Sequence, residues 1–124
     1  MTPNREREKI VDSDYEIELN IVSNKSFKTS SQIVVEVYIY DIILYHKNKP
    51  LITLINDNIA TKQAMINHYL EYKKFITRLV ILSSLEMNAY ETILIKEDLI
   101  QEMITNKEEL AGDVKTQLVC EFSY

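Results

Sequence analysis

Residues 32–47 read QIVVEVYIYDIILYHK, a run in which β-branched and aromatic side chains occupy both odd and even positions, with Glu36 and Asp41 set among them. Such side chains are stiff at χ1 in a helix and pack well on a pleated surface, so the run predicts a strand. Its odd positions Ile33, Val35, Val37 and Ile39 are all apolar, while its even positions carry Val34, Glu36, Tyr38 and Tyr40. A strand apolar on both faces is one that is covered from both sides. Continued without a break, it sets Asp41 among Ile39 and Ile43, a costly place for an unpaired carboxylate. A bulge at Asp41 would remove that conflict and bring Glu36 and Asp41 onto one face.

The flanking segments extend the sheet. Residues 14–22, DYEIELNIV, alternate Tyr15, Ile17, Leu19 and Ile21 with Glu16, Glu18 and Asn20, the period of a half-buried strand. The polar stretch SNKSFKTSS, residues 23–31, predicts an open connection, and HKNKP, residues 46–50, a turn into a second apolar strand, LITLIND, over 51–57. From Asn58 the period changes. Met65, Tyr69, Tyr72, Ile76, Leu79 and Val80 share one helical face opposite Asn67, Glu71, Lys74 and Arg78, which predicts a long helix from Ile59 with Asn58 as N-cap.

Ser83 and Glu86 have the spacing of a capping box, and Leu85, Ala89, Ile93, Leu99, Ile100 and Met103 trace a second helical stripe, although 90–95 would also suit a short strand. Gly112 reads as a stop. The end of the chain, VKTQLVCEFSY, sets Val114, Thr116, Leu118, Cys120, Phe122 and Tyr124 on alternate positions, so it reads as an amphipathic strand with Cys120 facing inward. The expected fold is α+β: an antiparallel sheet of about four strands in the order βββ-αα-β, with two long helices packed on one face. Residues 1–13 form a short tail or helix and 14–124 a single domain, since no linker, repeat or low-complexity tract divides the chain.

Composition excludes more than it names. A single glycine, Gly112, cannot build a phosphate-cradling loop, so no nucleotide cofactor is expected. His46, His68 and Cys120 match no metal-ligand spacing, and no nucleophile with a positioned base is visible. One cysteine leaves no intramolecular disulfide, and MTPNREREK lacks the apolar core of a secretory signal; the expected compartment is the cytoplasm, without a membrane span. Seventeen Ile and nine Asn fit an AT-rich coding sequence, as in many bacteria, archaea and viruses, a viral or mobile-element origin among them.

Three functional readings follow. The first is a non-enzymatic protein–protein interaction module, an assembly factor, regulator or small inhibitor. Two helices cover one sheet face, and the even face of the opening strand, with Val34, Glu36, Tyr38, Tyr40, Ile42 and Leu44, is left for a second copy of the chain or another protein. Glu36 would there need a partner, a lysine or a tyrosine hydroxyl. The second reading is nucleic-acid binding. Residues 25–78 carry +4 within a total of −5, and Lys47, Lys49, Lys73, Lys74 and Arg78 would follow a phosphate backbone while Tyr69 offers a stacking face. The third is a metal-dependent hydrolase using Glu36 and Asp41 as paired carboxylates. The Glu71-Tyr72-Lys73 triplet has a nuclease-like spelling, but on a helix its first and third residues diverge.

Overall fold

The computed structural model describes residues 5–84, 89–106 and 112–122. Four strands come first: β1 (Arg5–Lys9), β2 (Tyr15–Lys28), β3 (Val34–His46) and β4 (Lys49–Thr61). Three helices follow: α1 (Lys62–Ser84), α2 (Ala89–Asn106) and α3 (Gly112–Phe122). The strands form one antiparallel sheet in the order β1-β2-β3-β4. Every strand therefore lies beside its neighbour in sequence, as tight hairpins require.

The architecture is α+β as expected, but the order is ββββ-ααα rather than βββ-αα-β. The N-terminal segment supplies a strand, REREK, too short and too charged to show an apolar period. The last segment is a helix, and its alternation was misleading. Val114, Leu118 and Phe122 are buried while Thr116 and Cys120 are exposed, so the relevant spacing is four and not two. Gly112 opens this helix rather than ending the previous one. Residues 90–95 belong to α2. Glu86, and with it the capping box, lies outside the described residues; Ser83 instead donates its hydroxyl to the Leu79 carbonyl at 2.8 Å within α1.

The polar stretch 23–31 is mostly strand: β2 continues to Lys28, and the connection to β3 is residues 29–33. The β3–β4 turn is the two-residue loop Lys47-Asn48, with φ of 50° and 64° and His46 paired to Lys49. Positive φ at both loop residues matches the right-handed twist of the strands, and Asn tolerates it. β4 runs three residues past the expected N-cap. The cap is Thr61, whose Oγ1 accepts the Ala64 N–H at 3.3 Å.

The helical face predicted for α1 is the buried one: Met65, Tyr69, Tyr72, Ile76, Leu79 and Val80 are all in the core, joined by His68 and Phe75. They pack on Ile17 and Leu19 of β2, Tyr40, Ile42 and Leu44 of β3, and Ile52, Leu54 and Ile55 of β4, with Ile100 and the α3 residues completing the cluster. α1 crosses the sheet and ties down its short edge strand, because Glu8 of β1 accepts hydrogen bonds from the Tyr69 hydroxyl at 3.1 Å and from the Lys73 ammonium. At the other end of the sheet, Tyr15 packs on Phe122 with ring centroids 5.3 Å apart, and its hydroxyl donates to Glu121. Among the described residues no helix is long and apolar enough to cross a membrane.

Candidate interaction face

β3 is the straight reference of the sheet, and its neighbours carry the irregularities. The β2 register shifts between Ile21 and Ser23, and β4 takes extra residues opposite Asp41, after Ile42 and after Leu44. The bulge expected in β3 therefore lies in the partner strands. At Asp57 the β4 backbone has φ of 52°, and its N–H, displaced from the ladder, donates to Asp41 Oδ1 at 2.7 Å. The Asn20 amide donates to Asp41 Oδ2 at 3.4 Å. Asp41 interrupts the apolar run because a carboxylate is needed there to satisfy the bulged backbone.

Because β3 is unbroken, Glu36 and Asp41 stand on opposite faces, which removes the geometry of a paired-carboxylate site. Glu36 is instead held by its neighbours: its Oε1 accepts from Asn24 Nδ2 at 2.9 Å and from the Tyr38 hydroxyl at 3.0 Å. That bond raises the Tyr38 pKa. The tyrosine hydroxyl expected across an interface is thus provided within the chain. Among the described residues, no three His, Cys, Asp or Glu side chains converge as metal ligands.

The two faces of β3 are exchanged relative to the expectation from sequence. Tyr40, Ile42 and Leu44 are 1%, 0% and 0% exposed beneath the chain's own helices, so half of the expected interface belongs to the core. The Tyr40 hydroxyl accepts from Asn58 Nδ2 at 2.8 Å and lies within hydrogen-bond distance of His68 Nδ1, at 2.6 Å. Val34, Glu36 and Tyr38 share that side but emerge from cover, with Val34 62% exposed. The face without helices is the odd one: Val35, Val37, Ile39, Asp41 and Ile43.

Register spreads this face across three strands. Val35 pairs with Phe27, Val37 with Lys25 and Thr61, Ile39 with Ser23 and Ile59, and Ile43 with Glu18 and Thr53. Phe27 is 52% and Ile59 63% exposed, while Val35, Val37, Ile39 and Ile43 are half-buried by their neighbours. Beyond Ile43 the face becomes ionic and satisfies itself. Arg7 Nε lies 3.2 Å from Glu18 Oε2, its Nη1 donates to Asn48 Oδ1 at 2.7 Å, and its guanidinium stacks 3.9 Å above the Tyr45 ring. The Tyr45 hydroxyl donates to Glu18 Oε1 at 3.2 Å; burial, followed by the Glu18 charge, raises its pKa. Glu18 is 2% exposed within this cluster. Sequence reasoning missed Phe27, hidden in a stretch that resembled a loop, and Ile59, which was assigned to a helix.

The six nucleic-acid candidates are not equivalent. Lys47 and Lys49 are exposed at the β3–β4 turn, and Lys74 and Arg78 are exposed on α1. Tyr69 is 4% exposed, with its hydroxyl bonded to Glu8, so its ring offers no stacking surface. Lys73 is engaged in its ion pair with Glu8. A cleft of about 360 Å³ between α2 and α3 is lined by Glu97, Asp98, Ile100, Gln101 and Val119, an acidic rim unsuited to phosphate. Comparison with protein-family models, with curated proteins and with solved structures finds no match.

Proposed function

We propose that the chain is a non-enzymatic protein–protein interaction module, an assembly factor, regulator or small inhibitor, that acts through the helix-free face of its sheet. The observation that carries this reading is the contiguity of Phe27, Val35, Val37, Ile39 and Ile59 on three adjacent strands, with no helix over them among the described residues. Single exposed apolar residues are ordinary on a protein surface, but a contiguous apolar patch marks a contact site. The helices account for one apolar face of β3, and a partner accounts for the other. Nucleic-acid binding is the weaker reading, since two of its six groups are already committed inside the fold.

The test is substitution of Ile39 and Ile59 by Lys. Both variants are expected to keep the wild-type circular dichroism and to lose the association made by the wild type, because an unpaired charge at the centre of a contact costs several kcal/mol. Folded variants that retain every association of the wild type would remove the face from consideration.

A further inference from the structure

We propose that the arm formed by residues 5–10 is exchanged between two copies of the chain, so that β1 of each copy completes the sheet of the other. The exchange uses the edge of the sheet rather than its helix-free face, and it stands whether or not that face has a partner.

β1 is held by partners remote in sequence. None of its own side chains is buried, and the arm sends one apolar side chain, Ile10, into the core. On one face Arg7 reaches Glu18, Asn48 and the Tyr45 ring, and on the other Glu8 accepts from Tyr69 and Lys73. The backbone of β1 pairs with residues 16–20 of β2, and the ladder closes with the Ile10 N–H on the Tyr15 carbonyl. All of these partners follow the turn that carries the arm. A second copy presents the same edge, the same Glu18 and the same socket for Ile10. Exchange therefore keeps every one of these contacts and needs no new surface, which makes the swapping of an identical element a low-cost route to a dimer.

What changes is the turn, residues 11–14. Val11 stands there at φ of 46°, half exposed, in a conformation that crowds a β-branched side chain. In an opened arm it continues β1 as extended backbone, the state that valine favours. Against this, the Ser13 hydroxyl donates to the Ile10 carbonyl and accepts the Tyr15 N–H at 3.1 Å, two bonds that shape the closed turn. The closed and exchanged forms thus differ by the strain at Val11, the Ser13 hydrogen bonds and the concentration of the chain. A short hinge under strain is the setting in which elements swap. The opposite edge has no such arm, because β4 runs directly into α1.

The test mixes two full chains in a Cys120→Ser background, one carrying Arg5→Cys and the other Asn20→Cys. These positions face each other across the β1–β2 ladder. In closed monomers the two thiols belong to separate molecules and do not meet; in the exchanged dimer they lie opposite one another, at a spacing that a disulfide spans. Mild oxidation is expected to link the two chains, increasingly from micromolar to millimolar concentration. Replacing the second chain by one with Lys47→Cys, exposed at the β3–β4 turn, should give much less linkage. Hinge variants with an unchanged monomer circular dichroism should shift the dimer dissociation constant in opposite directions. Val11→Asn, which relaxes the closed turn, should raise it about tenfold, since each dimer contains two hinges, and Ser13→Ala, which loosens that turn, should lower it. Failure of the first pair to link at any concentration overturns the inference, as does equal linkage of both pairs, the mark of chance collision. A dimer whose dissociation constant neither hinge variant moves is joined elsewhere, and it too overturns the exchange.

Discussion

At the scale of single residues, the chain makes its left-handed turns without glycine. Val11, Gln32, Lys47, Asn48 and Asp57 all have positive φ, and Val11, at φ of 46° and half exposed, is the costly one because a β-branched side chain crowds that conformation. Val11→Asn is expected to stabilise by about 1 kcal/mol in urea denaturation, since Asn visits this region readily; an unchanged or lower midpoint would show that the turn is not strained. Ionisation supplies a second residue-level test. The Lys73 hydrogen bond, reinforced by Tyr69, holds the Glu8 carboxyl below its ordinary 4.5 despite some burial. A carboxyl depressed in the fold contributes stability that is complete above its unfolded value and is lost as pH falls through the folded one. The acid limb of the stability profile should therefore be shallower in Lys73→Met than in wild type below about pH 4.5, and parallel limbs would show the pair to be energetically silent. Lys96, 5% exposed on α2, has its pKa lowered by burial.

At the scale of elements, α3 shows how one set of residues supports two readings. Val114, Leu118 and Phe122 satisfy both a period of two and a spacing of four, and the positions that separate the alternatives are Thr116 and Cys120. A local pattern cannot rank them, because Thr and Cys are acceptable on either side of an amphipathic element. The helix makes a sharp prediction about them. Cys120 should react with a thiol reagent in the native state at a rate within a fewfold of that in urea, and Cys120→Ser should leave stability almost unchanged. Leu118→Ala, which empties a fully buried site, should cost about 2–5 kcal/mol. Strong native protection of Cys120 would restore the inward strand. α1 was legible because its stripe is long and carries large aromatic and aliphatic residues, but its start was not. Asn58 and Ile59 suit the end of a strand as well as the start of a helix, and pairing with Tyr40 and Ile39 of β3 decided between them.

At the scale of the molecule, the sheet has two apolar sides, and among the described residues the helices lie on one of them. That sidedness is testable within β3 alone. Ile42→Lys should abolish folding or cost more than about 4 kcal/mol, because it places a charge in a site with no exposure. Ile39→Lys should leave the isolated chain folded with a similar thermal midpoint. Circular dichroism melts of the two variants check the assignment, and comparable damage from both would mean that the odd face is also internal.

The sequence alone determined that β3 is a strand with two apolar faces, that a turn follows it within residues 46–50, and that α1 buries Met65, Tyr69, Tyr72, Ile76, Leu79 and Val80. These are matters of local periodicity and turn chemistry, and neighbouring residues suffice to specify them. Which face of β3 the helices cover was decided by the tertiary structure. Alternation states that two faces differ, but only the bulges in β2 and β4, the crossing of α1 from β4 to β1 and the packing of α3 near Tyr15 assign one of them to the core. The same holds for Asp41. In the sequence it is a charge out of place; in the fold it is the acceptor for a backbone N–H that belongs to a different strand, sixteen residues away.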